Sequence, residues 1–128
     1  MKLNWNLQRT LAKINYQIHT DAIKESLIPK EITKLEASFV YANEADLLNM
    51  ALFGKTAGEW RHEHPDLQGN IRDNATIEQL VVLTNLESLN AVLIDQKIPQ
   101  SNRLLQLNKV AIQQLNVLTN NPSLKNLT

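Results

Sequence analysis

Apolar residues recur at helical spacing along most of this chain, and polar residues fill the positions between them. Over 6–27, Leu7, Leu11, Ile14 and Ile18 fall four, three and four apart, and Ile23 and Leu27 carry the apolar side onward. Gln8, Arg9, Lys13, Asn15, Gln17 and Lys24 occupy the opposite face, so the spacing predicts an amphipathic helix whose stripe needs a partner surface. Pro29 lacks an amide donor and steers Ile28 away from helical dihedrals, which ends that helix just after Leu27. The pattern then weakens. Ile32, Leu35, Phe39 and Val40 suggest a helical turn followed by a loop over 30–41.

Capping residues punctuate the centre of the chain. Asn43-Glu44-Ala45-Asp46 reads as a capping box opening a short helix through Leu47, Leu48, Met50, Ala51, Leu52 and Phe53, with Gly54 as its C-cap. Thr56-Ala57-Gly58-Glu59 repeats that grammar and starts a second short helix that contains Trp60 and stops at Pro65. Residues 65–75 form a polar, irregular stretch, and Thr76-Ile77-Glu78-Gln79 is a third capping box. The segment 77–97 is apolar over a wide arc, with Leu80, Val82, Leu83, Leu86, Leu89 and Leu93 thickened by Val81, Val92 and Ile94, so it is expected to be buried on more than one side. Ile98-Pro99-Gln100-Ser101 makes a tight connection to a last helix through Leu104, Leu107, Ala111, Leu115 and Leu118.

The expected fold is all-α and spans 1–128 as one helical domain, with a core over about 5–119 and a frayed tail over 120–128. The N-terminal helix packs with a C-terminal antiparallel helical hairpin, and the short central helices cap one end.

Composition narrows the function classes. The chain has 128 residues and no cysteine, which excludes a disulfide scaffold, thiolate metal sites and a cysteine nucleophile. Thirteen bases balance thirteen acids, so net charge gives no argument for a polyanion partner. The charges are uneven: 41–100 holds four bases and nine acids, whereas 101–128 holds three bases and no acid. No uninterrupted apolar run reaches the length of a membrane span, and Met1-Lys2 leads directly into Leu3-Asn4-Trp5-Asn6, so the expectation is a cytoplasmic protein without a membrane partner.

Candidate chemistry is sparse. His62, His64 and Asp66 have ligand types that suit a divalent metal, but their spacing is not that of a helical zinc site, and exposed histidines near a helix C-terminus are the expected reading. His19 is expected to be solvated or at a boundary. Glu59, Trp60, Arg61, Arg72, Asp73 and Glu87 could line a polar cleft; the plainer expectation is that Arg72 pins the loop, Asp73 or Thr76 caps a helix and Trp60 fills the end of the core. Trp5, Leu7, Leu11, Asn85 and Asn90 are the interface candidates. Of the asparagines at 85, 90, 102, 108 and 116, at most one is expected at a helix interface. Gly58 inside a short helix has no evident use. No catalytic residue, metal or cofactor is expected.

Tyr41-Ala42-Asn43-Glu44-Ala45-Asp46, Leu48-Asn49, Ala51-Leu52-Phe53-Gly54, Thr56-Ala57 and Trp60-Arg61 form one run of motifs. Gly69-Asn70-Ile71-Arg72-Asp73, Ala75-Thr76, Gln79-Leu80 and Asn85-Leu86-Glu87 form another. Together, over about 5–118, they resemble the C-terminal region of bacterial and prophage-associated KilA-N domain proteins. The resemblance implies an upstream module that binds DNA, followed by this helical region; no position here matches the residues of that module. It assigns no catalytic role to Asn43, Trp60, Arg72, Asp73 or Glu87. Gly58 and Asn74 depart from the family pattern, in which a charged residue and an aromatic are expected.

The functional expectation is an accessory domain that forms a homodimer or contacts a partner protein, with DNA reached only through the upstream module. The alternatives are a nucleotide- or phosphodiester-processing enzyme domain, which requires Glu59, Arg72 and Asp73 to converge on one concave site with His62 as a further candidate, and a stand-alone protein-binding module with an exposed groove.

Overall fold

The computed structural model describes residues 2–28 and 33–120, with the side chains of 2–6 and 8 excepted. Among the described residues there are five helices and no strand: α1 (Lys2–Ser26), α2 (Lys34–Phe53), α3 (Ala57–Glu63), α4 (Ile77–Asp95) and α5 (Gln100–Thr119). The all-α expectation is met. Hydrogen bonds between facing helices set their directions. Asn15 bonds to the carbonyl of Thr84 and Ser26 to Asp95, so α1 and α4 run parallel. Glu44 meets Arg103 and the carbonyl of Ala51 meets Asn108, so α2 and α5 are also parallel. Asn85 with Gln114 and Asn90 with Arg103 step in opposite senses, which makes α4 and α5 the expected antiparallel hairpin.

α4 is the central helix, packed against α1, α2 and α5. Leu47, Leu48 and Ala51 of α2, Val82, Leu83, Leu86 and Leu93 of α4, and Leu107 and Ala111 of α5 form the main core. A smaller cluster joins Ala22 and Ile23 of α1 to Ala91 and Ile94 of α4. The wide apolar arc over 77–97 is thereby explained, since no single neighbour could cover it. By length and composition α4 is also apolar enough to cross a membrane, at a mean hydropathy of 1.3, which the expectation from uninterrupted runs overlooked. Glu87 and Asn90 lie within it, both buried against protein.

α2 departs from expectation. It begins at Lys34, because Thr33 accepts from the amide of Glu36 while the Glu36 carboxylate accepts from the Thr33 amide. The turn and loop expected over 30–41 are therefore helix from Lys34 onward, and Asn43-Glu44-Ala45-Asp46 lies inside the helix, not at its start. Leu35 and Phe39 are exposed, so the first turns of α2 carry no apolar stripe that could have announced them. The architecture is four long helices with α3 as the short one, not two short central helices beneath a longer trio.

The other boundaries follow their caps. Thr56 and Thr76 both make complete capping boxes, and Gly54 closes α2 in the left-handed region (φ 75°), donating to the carbonyl of Met50. Pro99 precedes α5 as expected. The frayed tail lies outside the described residues beyond Asn120, as do Pro29 and Ile32.

Leu86 has no exposed surface and sits where three helices meet. Leu86→Ala is expected to lower stability by about 2–5 kcal/mol in urea denaturation, whereas Phe39→Ala, on an exposed face, should change it by less than about 0.5 kcal/mol.

Candidate functional site

Each long helix brings one polar residue of its apolar stripe to a common junction, and α4 buries a second, Glu87, beside it. Glu44 shares a stripe with Leu47, Leu48 and Ala51, Asn90 with Leu83, Leu86 and Leu93, Arg103 with Leu107 and Ala111, and His19 with Ala22. All four are buried, and they meet. Arg103 grips Glu44 with both terminal nitrogens, Nη1 to Oε1 at 2.5 Å and Nη2 to Oε2 at 3.1 Å. Its Nε donates to the carbonyl of Ile98 at 3.0 Å, and Gln100 donates to Glu44 Oε2 at 3.0 Å. Arg103 Nη1 also donates to Asn90 Oδ1 at 2.9 Å, and Asn90 Nδ2 donates to Glu44 Oε1 at 3.0 Å. No buried side-chain nitrogen or oxygen among the described residues lacks a partner.

This network decides the state of His19. The guanidinium and the carboxylate orient the Asn90 amide, and its remaining N–H points at His19 Nε2, 2.9 Å away. Nε2 accepts, so the ring is neutral and carries its proton on Nδ1. Burial pushes the His19 pKa down from 6.5 to about 4, with Glu44 pulling upward and Arg103 and Arg72 adding to the depression. For Glu44, burial works to raise the pKa, but the hydrogen bonds from Arg103, Asn90 and Gln100 outweigh it and hold the group below the usual carboxylate range.

Beside the network, α1 and α2 diverge over α4 and leave a cleft of about 490 Å³. Tyr16, Thr20 and Ile23 form one wall, Tyr41, Leu48 and Asn49 the other, and Leu83, Glu87 and His19 line its depth. The 65–75 loop contributes Asn70, Ile71 and Arg72. Arg72 Nη2 donates to Glu87 Oε1 at 3.1 Å, joining a side chain 44% exposed to one 4% exposed. Burial pushes the Glu87 carboxyl upward, and Arg72 offsets part of that.

The loop that delivers Arg72 is tied down by its own polar residues. Arg61 donates to the carbonyls of His64, Leu67 and Gly69. Asn70 and Asp73 exchange backbone-to-side-chain bonds of 3.0 and 2.9 Å. Gly69 takes φ 81°, and a Cβ there would lie 2.7 Å from the Asp73 carboxylate, so a side chain is excluded. Ile71 is buried and anchors the segment to the core.

Of the expected polar cleft, Arg72 and Glu87 come together. Glu59 is committed to the capping box of α3, accepting from the Thr56 amide at 3.0 Å, and Asp73 to the loop turn, so these carboxylates do not converge with Arg72 on one site. Trp60 is buried and stacks on His64 at 4.9 Å, with the Arg61 guanidinium also 4.9 Å from its ring. His64 Nδ1 bonds to the carbonyl of Trp60, His62 and Asp66 are exposed, and no three metal-ligating side chains gather among the described residues. Compared with known protein families, characterised proteins and solved structures, the chain matches none.

Two expectations need correction. His19 is buried, not solvated, because it completes the network. More than one of those five asparagines sits between helices: besides Asn90, Asn85 reaches Gln114 and Asn108 reaches Ala51. The interface candidates Leu7 and Leu11 are exposed, Asn85 is exposed and Asn90 is internal; the Trp5 side chain lies outside the described residues.

The depressed His19 pKa makes stability depend on pH. The unfolded chain binds a proton near 6.5 and the folded chain only near 4, so the contribution is complete above 6.5 and is lost as pH falls through that window. Wild type is expected to lose about 2–3 kcal/mol between about pH 7.5 and about pH 4.5 in chemical denaturation, and His19→Gln clearly less. Glu87, whose pKa is raised, acts in the opposite sense and only trims the loss.

Proposed function

We propose that this chain is an accessory oligomerisation domain that pairs with a second copy of itself through α1, serving a phage-related DNA-binding protein of the KilA-N type. One observation carries the oligomeric reading. Leu7, Leu11, Ile14 and Ile18, spaced four, three and four apart, are 56%, 51%, 44% and 45% exposed. That is the spacing of a helical seam, and burying it in water is favourable at about 25 cal/mol per Å² of apolar surface. At about 100° per residue, Asn15, His19 and Ala22 face α4, Tyr16, Thr20 and Ile23 turn toward the cleft, and the seam turns the opposite way, clear of α2. A second α1 reaches it without disturbing the fold.

The KilA-N part of the reading rests on the motifs within 41–87, and the DNA part on the module that such proteins carry upstream. The balanced charge of the chain gives it little drive of its own toward duplex DNA, so weak binding or none is expected from this region. A protein-binding role without self-association would use the same seam.

Size-exclusion chromatography with light scattering tests the pairing. Wild type is expected at twice its 14.6 kDa mass, and Leu11→Asp and Ile14→Asp at the monomer mass with unchanged helical content. A wild type that stays monomeric at about 100 μM, or a dimer that neither substitution dissociates, contradicts it.

A further inference from the structure

The cleft between α1 and α2 holds two polar atoms that the protein leaves open. Glu87 Oε1 is taken by Arg72, and among the described residues its Oε2 has no partner. The Asn90 bond holds His19 Nε2 and leaves the proton on Nδ1, which likewise has no partner among the described residues. Both side chains are more than nine-tenths buried, yet neither atom is fully enclosed, and both residues line the cleft. The cleft is thus lined by two residues that offer, between them, an acceptor and a neutral donor with no partner among the described residues. The donor is a consequence of the core network.

We propose that this cleft binds a planar heterocycle of the nucleobase or nucleoside class, with Glu87 accepting a ring or amino N–H, His19 Nδ1 donating to the neighbouring carbonyl oxygen or ring nitrogen, and Tyr16 and Tyr41 against the ring faces. The walls are chiefly apolar, through Ile23, Leu48 and Leu83, as a desolvated ring requires. Free phosphate or a phosphodiester is disfavoured there: Arg72 is the one cation lining the cleft among the described residues, it is already paired, and Glu87 repels an anion. At about 490 Å³ the cleft has room for one nucleoside.

Titration calorimetry with guanosine, uridine, adenosine and cytidine, each alone at neutral pH, tests the assignment. At least one is expected to bind saturably with Kd below about 1 mM and to shift the ring nitrogen resonances of His19. Glu87→Gln should weaken that binding about tenfold or more, and Tyr16→Ala, an exposed position, severalfold. No saturable binding by any of the four, or an unchanged affinity in folded Glu87→Gln, overturns the proposal. If Glu87→Gln does not fold, Tyr16→Ala decides in its place, an unchanged affinity being the adverse result. The seam and the cleft occupy different flanks of α1, so Leu11→Asp should leave this binding intact, and its failure would leave the pairing of α1 untouched.

Discussion

A salt bridge with almost no access to water holds the bundle in one arrangement. Glu44 and Arg103 are each 3% exposed and come from helices far apart in the chain. Removing two charges from water costs several kcal/mol per ion, which only close geometry and further hydrogen bonds can offset. Here the remaining acceptor capacity of Glu44 is taken up by Asn90 and Gln100, and Arg103 donates further to Asn90 and to the carbonyl of Ile98. A purely apolar core could match this in stability but would tolerate sliding of one helix past another. The network does not, since a shift of one turn would strand a buried charge.

The consequences spread outward from that junction. α2, α4 and α5 each supply a member of the network, and His19 brings α1 to the same point. Its neutral ring is set by the amide of Asn90, so the chemistry of the cleft is inherited from the core and not built by the cleft itself. α1 then has three distinct sides: one against α4, one lining the cleft and one open seam. The 65–75 loop, held by Arg61 and Asn74, brings Arg72 over Glu87 from the far side.

What could be read in the sequence was local. The capping boxes at Thr56 and Thr76, the glycine cap at Gly54 and the proline start of α5 act within a few residues, and their side-chain chemistry announces them. The start of α2 has the same signature in Thr33 and Glu36, but Leu35 and Phe39 face outward and gave no core stripe to confirm it. Asn43 and Asp46 resembled a cap because polar residues one turn apart look alike at a helix start and on an exposed helix face. The network was not legible at all as a unit. Its side-chain-to-side-chain bonds join residues 13 to 71 positions apart, and each member, taken singly, is an ordinary polar residue. The one available sign was their position on apolar stripes, where a polar residue has to find a buried partner.

The most direct measurement is a double-mutant cycle on Glu44 and Arg103 by chemical denaturation, with Glu44→Leu, Arg103→Leu and the pair combined. Each single substitution strands a buried charge and is expected to cost about 3–5 kcal/mol, while the double loses at least about 2 kcal/mol less than the sum. Losses that add to within about 0.5 kcal/mol would mean that the two side chains do not act on each other, and the account of the fold would be wrong.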